Sequence, residues 1–182
     1  MRSAPSLLLL LLLASVGLHA EDLVSRLAAA AKAVPTVALT FVQVKTLAML
    51  DAPLEAHGTL TLDRPQERLV LEFTGRSRLV LDHGQLSRFD AAGQQETLGP
   101  EAAAIAAQLH GLLSGDFSTM DTLFTITPAT DGSAELTLVP RTPELHRFIE
   151  RLELRFRPDL AAPAVMTLIA TGGDATTYTF SQ

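Results

Sequence analysis

The chain has 182 residues, 14 basic and 20 acidic side chains, and a formal net charge of −6. That balance excludes charge-driven binding to nucleic acid or to an anionic membrane surface. The absence of cysteine removes disulfides, thiol chemistry and a thioether-linked lipid anchor. One tyrosine, eight phenylalanines and no tryptophan, within 47% apolar residues, make the expected interior mostly aliphatic.

Met1-Arg2 precedes an unbroken apolar run from Leu7 to Leu13, a Ser15-Val16-Gly17 break, and Leu18-His19-Ala20 before the acidic pair Glu21-Asp22. A positive start, a short apolar centre and a small residue at the end have the form of a secretory signal peptide. The run is shorter than the roughly 20 residues a membrane span needs. Residues 1–20 are therefore expected to be removed after Ala20. That leaves 182 − 20 = 162 residues, 21–182, as a single soluble domain in an extracytoplasmic compartment, most simply a bacterial periplasm. Losing Arg2 leaves 13 basic and 20 acidic residues, a charge of −7.

Val24, Leu27, Ala28 and Ala31 fall at helical spacing behind Glu21 and Asp22, which predicts a helix over 22–34 stopped by Pro35. Residues 36–49 then alternate as a strand through Val37, Leu39 and Phe41. Val42 and Val44 switch parity, which predicts a bulge. From Gly58 to Phe89 the two-residue period repeats through Leu60 and Leu62, Leu69, Leu71 and Phe73, and Leu79 to Leu81. Asp63-Arg64-Pro65, Thr74-Gly75 and Asp82-His83-Gly84 divide this stretch into four short strands. Another short strand is expected within 94–98. The longest helical pattern covers 100–113, with Pro100 and Glu101 at its start and Ser114-Gly115 at its stop. A further turn spans 116–121. Five strands follow, over 123–127, 134–139, 149–157, 164–170 and 175–180. In the third, Leu152, Leu154 and Phe156 oppose Arg151, Glu153, Arg155 and Arg157. No helices alternate with the strands, so the fold class is mainly β with α. The expected architecture is a strongly curved antiparallel sheet of about eleven strands, with helices held on its concave side.

Chemistry-bearing patterns are sparse. The histidines, His19, His57, His83, His110 and His146, show no metal-ligand spacing, and no metal or other cofactor is expected. Ser114 lacks the glycine two residues earlier that a nucleophile elbow requires. Glu150 and Glu153 sit among arginines with opposite strand parity, as on a solvated surface. No phosphate-binding glycine loop occurs, and catalysis is not expected.

Several segments in order resemble one family. These are Phe41-x-Gln43, Gly58-Thr-Leu-x-Leu-x-Arg64-Pro65, Leu79-Val-Leu-Asp-x-Gly84 and a mid-chain helix ending Leu-Leu-Ser-Gly115-Asp. Leu136-x-Leu-x-Pro140 and Gly173-Asp174-x-Thr-x-Tyr178-x-Phe180 complete them. Together they are similar to the outer-membrane lipoprotein carrier family, LolA and LolA-like proteins, over nearly all of residues 21–182. The resemblance implies an incomplete antiparallel β-barrel with a helical lid over a hydrophobic cavity. It also implies lipoproteins as cargo, taken from an inner-membrane transporter to an outer-membrane acceptor. Arg64 matches the family arginine that holds the lid through bonds to helix carbonyls; its planar fork of donors suits that task, as it also suits an edge position beside a turn. Where the family places aromatic residues shortly after Arg-Pro, this chain has Arg68 and Val70, so a different lipid, such as a glycolipid, stays open as cargo.

A carrier of this kind faces an energetic constraint. At ~0.8 kcal/mol per buried methylene, one acyl chain of roughly fourteen methylenes gains ~11 kcal/mol, and three would pass the practical ceiling of ~20 kcal/mol. Release then requires an opposing cost, for which displacing a helix that fills the cavity is the natural source. Ile105, Leu109, Leu112 and Leu113 are the candidates for that plug. Leu60, Leu62, Leu71, Phe73, Leu81, Phe89, Leu152, Leu154 and Phe156 are the candidates for the cavity lining. The protein is expected to act as a monomer. Two other readings are a lipid-sensing regulatory module on the same sheet, and a hydrolase.

Overall fold

The computed structural model describes residues 14–98, 111, 115 and 117–182. Ile105, Leu109, Leu112 and Leu113, the predicted plug, lie outside the described residues. The strands are β1 (Thr36–Thr46), β2 (Leu54–Asp63), β3 (Arg68–Phe73), β4 (Arg78–Asp82), β5 (Gln85–Phe89) and β6 (Gln95–Glu96). After the middle of the chain come β7 (Phe124–Pro128), β8 (Glu135–Pro140), β9 (Ile149–Phe156), β10 (Pro163–Ala170) and β11 (Ala175–Ser181). Helices described in full are α1 (Ala14–Ala33), α2 (Phe117–Leu123) and α3 (Pro143–His146).

All eleven strands form one antiparallel sheet in the order β6-β5-β4-β3-β2-β1-β11-β10-β9-β8-β7. Two meanders are therefore welded by pairing of the first strand with the last, Phe41 opposite Phe180 and Thr46 opposite Ala175. β6 and β7 remain as edges, so the sheet is an open barrel. The hairpins have the turn chemistry read from the sequence. Asp82-His83-Gly84-Gln85, for example, has His83 at φ 48° and Gly84 at φ 78°, the two left-handed residues of a tight hairpin whose twist matches its strands.

One face of the sheet is mostly apolar. Leu39 and Phe41 of β1, Leu60 and Leu62 of β2, Leu69 and Leu71 of β3 and Leu81 of β4 join Leu136, Leu138, Leu152 and Leu154 in a single buried cluster. Two helices close part of it. α1 contributes Leu23 and Leu27, with buried Ala31 next along its stripe, and α2 contributes Phe117 and Met120. Gly115, two residues before α2, lies directly against α1. Its φ of +75° is a left-handed value, and a Cβ there would stand 2.3 Å from the Ala31 Cβ.

Two sequence expectations are corrected, and one short helix is added. α1 begins at Ala14, upstream of the predicted start at Asp22, because only one glycine (Gly17) and no proline interrupts that stretch before Pro35. β1 carries no bulge: its register against β2 and β11 runs without a shift, and Val42 and Val44 lie on the less buried face while Gln43 takes the inward position. The irregularities fall instead in β10, between Pro163 and Val165 and between Ile169 and Ala170. Finally, the proline-bounded loop after β8 contains α3, started by Thr142 accepting from the Leu145 N–H and by Pro143 in the first turn.

Candidate functional site

Among the described residues, helices pack against only part of the inner face. Where α1 and α2 cover it, leucines such as Leu60, Leu62, Leu138 and Leu152 are almost without exposure. Toward the other end of the strands the same face surrounds a hollow of about 610 Å³, within the range of small-ligand sites. Leu69, Leu71 and Phe73 of β3, Leu79 and Leu81 of β4, and Leu86 of β5 form one wall. Met166 and Leu168 of β10 and Thr176 and Tyr178 of β11 form the opposite one. Leu98 also lines it. Ala56 and Gln43 form the floor between the two walls, and Lys45, Arg76 and Arg88 stand at the exposed margin.

An aromatic partition separates the filled half from the hollow one. Phe41 meets Phe73, Tyr178 and Phe180 edge-on at centroid distances of 5.2, 5.6 and 6.4 Å, while Tyr178 and Phe180 stack at 6.1 Å. Gly58 lies opposite Phe41, and a Cβ there would come 2.5 Å from the Phe41 ring and 2.1 Å from the Glu72 carbonyl oxygen. The glycine thus lets the ring lie flat over the β2 backbone. Gln43, the one buried polar residue among the described residues, donates from Nε2 to the Tyr178 hydroxyl at 2.5 Å. Burial raises the Tyr178 pKa above its ordinary value, and the Gln43 bond offsets part of that rise.

Arg64 occupies the β2–β3 turn and ties three distant pieces together. Its guanidinium donates to the Val34 carbonyl, just beyond α1, and to the Ala161 carbonyl before β10 at 2.9 Å, while its backbone N–H donates to the Pro35 carbonyl at 2.9 Å. β2 and β10 are three strand spacings apart in the sheet order. On a flat sheet that is about 14 Å, so a single side chain can span it only because the sheet curls. Burial lowers the Arg64 pKa, and the side chain remains a permanent cation at neutral pH.

The sequence itself matches the model of one family, described as the outer membrane lipoprotein carrier protein LolA, over residues 32–182. The chain belongs to the LolA family. No curated protein sequence matches it significantly. Among solved structures it is similar to a LolA superfamily protein from Nitrosomonas europaea, with 8% identity, 90% of this chain and 91% of that one covered, and a TM-score of 0.44. A putative outer membrane lipoprotein-sorting protein domain from Vibrio parahaemolyticus shares 9% identity, with 88% and 89% covered and a TM-score of 0.47. The Pseudomonas aeruginosa MucA/MucB complex matches at 17% identity and a TM-score of 0.43; the match covers 90% of this chain and 56% of that one.

The LolA segments quoted from the sequence now have locations. Phe41, Gly58, Tyr178 and Phe180 all belong to the aromatic partition, Arg64 is the three-way tie, and Gly115 is the close contact with α1. Of the nine residues predicted to line a cavity, Leu71, Phe73 and Leu81 do so. Leu60, Leu62, Leu152 and Leu154 point the same way but lie in the filled half, and Phe156 packs half-buried against that core. Phe89 does not share their face. It pairs with Arg78, whose guanidinium carbon sits 4.9 Å from the ring centroid, and it follows Leu86 by three positions on a strand of period two. Sequence reasoning missed Leu69, Leu79, Leu86, Met166, Leu168 and the Gln43–Tyr178 pair. Gln43 and Tyr178 were within the quoted motifs, and Gln43 is in phase with Val37, Leu39 and Phe41, a signal that was available.

Residues considered for chemistry are dispersed. His57 pairs with Glu55 at 2.9 Å and His83 with Asp82 at 2.6 Å, all on exposed side chains. Glu150 and Glu153 both bind Arg151, at 2.5 and 2.8 Å. Among the described residues no group of three His, Cys, Asp or Glu side chains could hold a metal ion.

Proposed function

We propose that this LolA-family protein is a periplasmic carrier that shelters the acyl chains of lipoproteins or related lipids in the hollow half of its sheet and moves them from the inner to the outer membrane. The single observation that supports the reading most is an inner face that helices, among the described residues, cover only in part. A continuous leucine surface is packed tight by helices at one end and left around a volume of about 610 Å³ at the other. Such a surface gains free energy by covering itself with hydrocarbon. The β1–β2 hairpin beside the hollow adds to this: Met49 is 87% exposed, with Leu50 and Leu54 exposed next to it. Together they offer an apolar step between a membrane and the cavity.

In this reading residues 1–20 are removed after Ala20, although Ala20 and Glu21 are both within α1 as described. Ile105, Leu109, Leu112 and Leu113 serve as the plug that a cargo chain displaces. Arg64 is the latch, acting through the carbonyls at the end of α1 and before β10 rather than as a cavity residue. Transport then needs a donor at the inner membrane and an acceptor at the outer one, each engaging the protein as a monomer.

The test is to purify the protein from periplasm, extract it with organic solvent and identify bound lipid by mass spectrometry. Stoichiometric lipoprotein or lipid, lost when Leu71 and Leu79 are both changed to Asn, is the expected result. A protein that emerges lipid-free and takes up no acyl probe overturns the proposal.

A further inference from the structure

The margin of the hollow has a charge pattern opposite to that of the chain. The protein carries 14 basic and 20 acidic residues, yet among the described residues the hollow is lined by three cations, Lys45, Arg76 and Arg88, against two acids, Asp90 and Glu96. Both acids are already engaged. Glu96 holds Arg88 at 2.9 Å, and one Asp90 carboxylate oxygen accepts the N–H groups of Ala92 and Gln94 at 2.9 and 2.8 Å. Lys45 and Arg76 make no ion pair among the described residues. Both are exposed, whereas Leu69, Leu71 and Leu81 beneath them are buried, so the two cations mark the opening. The fold sets their spacing. Lys45 is the last residue but one of β1, opposite Leu54 on one side and Thr176 on the other, and Arg76 lies in the turn after β3. Two strand spacings, about 10 Å, separate those strands, which is within the joint reach of two long side chains.

We infer that this margin is a subsite for an anionic headgroup borne by the same molecule whose acyl chain enters the hollow, with Lys45 and Arg76 as its two recognition cations. The inference rests on the lipid-carrier reading above and sharpens it: the preferred cargo is an acyl amphiphile with a phosphate or carboxylate next to the chain. The physical reason is division of labour. The leucine walls bind hydrocarbon without regard to its headgroup, while an ammonium and a guanidinium at the rim discriminate by charge. Because both are exposed, the discrimination weakens as salt rises.

Displacement of a fluorescent acyl probe tests it, using the delipidated full chain with dodecyl phosphate, laurate, dodecanol and inorganic phosphate as competitors. At low salt dodecyl phosphate and laurate should outcompete dodecanol by about tenfold, the combined effect of two exposed charge contacts. That preference should collapse to about onefold in the Lys45→Gln/Arg76→Gln double variant and survive in Lys32→Gln, while dodecanol binds all three alike. Equal binding of dodecyl phosphate and dodecanol to the wild type overturns the subsite, and so does a preference that persists in the double variant. Displacement of dodecyl phosphate by an equal concentration of inorganic phosphate also overturns it, since the cations would then serve a free anion. If dodecanol and dodecyl phosphate both fail to displace the probe, the hollow is no acyl site and the carrier reading falls together with the subsite.

Discussion

Gln43 shows at the scale of one residue how an interior can hold polarity. Its amide lies on the apolar face because the Tyr178 hydroxyl accepts a hydrogen bond from it, and an unmatched amide there would cost about 1–3 kcal/mol. Tyr178 is the chain's only tyrosine, so phenolate absorbance reports it alone. The fold raises its pKa, which means the neutral phenol is the favoured form. Stability linked to it is therefore complete below the unfolded value of about 10 and is lost as pH climbs through the higher folded value. An absorbance titration should give a midpoint above that of free tyrosine, and Gln43→Ala should move it higher still; a midpoint at the free value would contradict the structure. Tyr178→Phe should abolish this alkaline contribution to urea stability. Arg64 is the second single-residue test. Arg64→Leu leaves the Val34 and Ala161 carbonyls without their charged donor and should cost about 1–3 kcal/mol in urea unfolding, discounted for partial exposure. Arg64→Lys, a point charge without the fork, should recover only part of that loss.

Close backbone approaches, not propensities, are the tight joints between elements. At Gly58 the obstacle to a side chain is the Glu72 carbonyl oxygen, which belongs to the β2–β3 ladder and cannot rotate aside. Gly58→Ala should thus open the ladder or displace Phe41, at about 1–3 kcal/mol in equilibrium unfolding. Gly115 combines a left-handed φ with contact on Ala31 of α1. Gly115→Ala should lose about 1–2 kcal/mol from strain alone. Changing Ala31 to Gly in the same protein should relieve the contact but not the strain, so a double variant that recovers fully would rule out the backbone explanation. The β1–β2 hairpin is held differently: Ala48 N–H donates to Asp174 in the β10–β11 turn at 2.7 Å, which keeps the apolar tip in one position.

The whole molecule divides one sheet face between two tasks, and substitution should separate them. Leu62→Ala, in the filled half, should cost about 2–5 kcal/mol and leave acyl binding nearly unchanged. Leu79→Ala, half-buried on the wall of the hollow, should cost less than about 1.5 kcal/mol and weaken acyl binding severalfold. Similar stability losses for both would mean the hollow is packed in solution. The strands themselves were legible from the sequence, because a period of two is a local property that survives whatever the strand packs against. Strand ends in the meander fall within a few residues of the expected turns for the same reason. The face was less legible. Val42 and Val44 read as a parity switch and a bulge because hydrophobicity alone cannot know that Tyr178, 135 residues away, will receive Gln43. Phe89 was misassigned because its orientation depends on the two-residue hairpin register that sets Leu81 against Leu86 and Arg78 against Phe89.

Composition, periodicity and turn residues determined by themselves that this chain forms a curved antiparallel sheet with one greasy face, and its ordered motifs pointed to the LolA family. Only tertiary structure decided which leucines are packed solid and which surround open volume, since that depends on where α1 and α2 come to rest, and helix placement is set by contacts between residues far apart in the chain. The same holds for the rim. Lys45 and Arg76 are unremarkable in sequence and become neighbours because β1 and β3 flank β2 and end on the same side of the sheet.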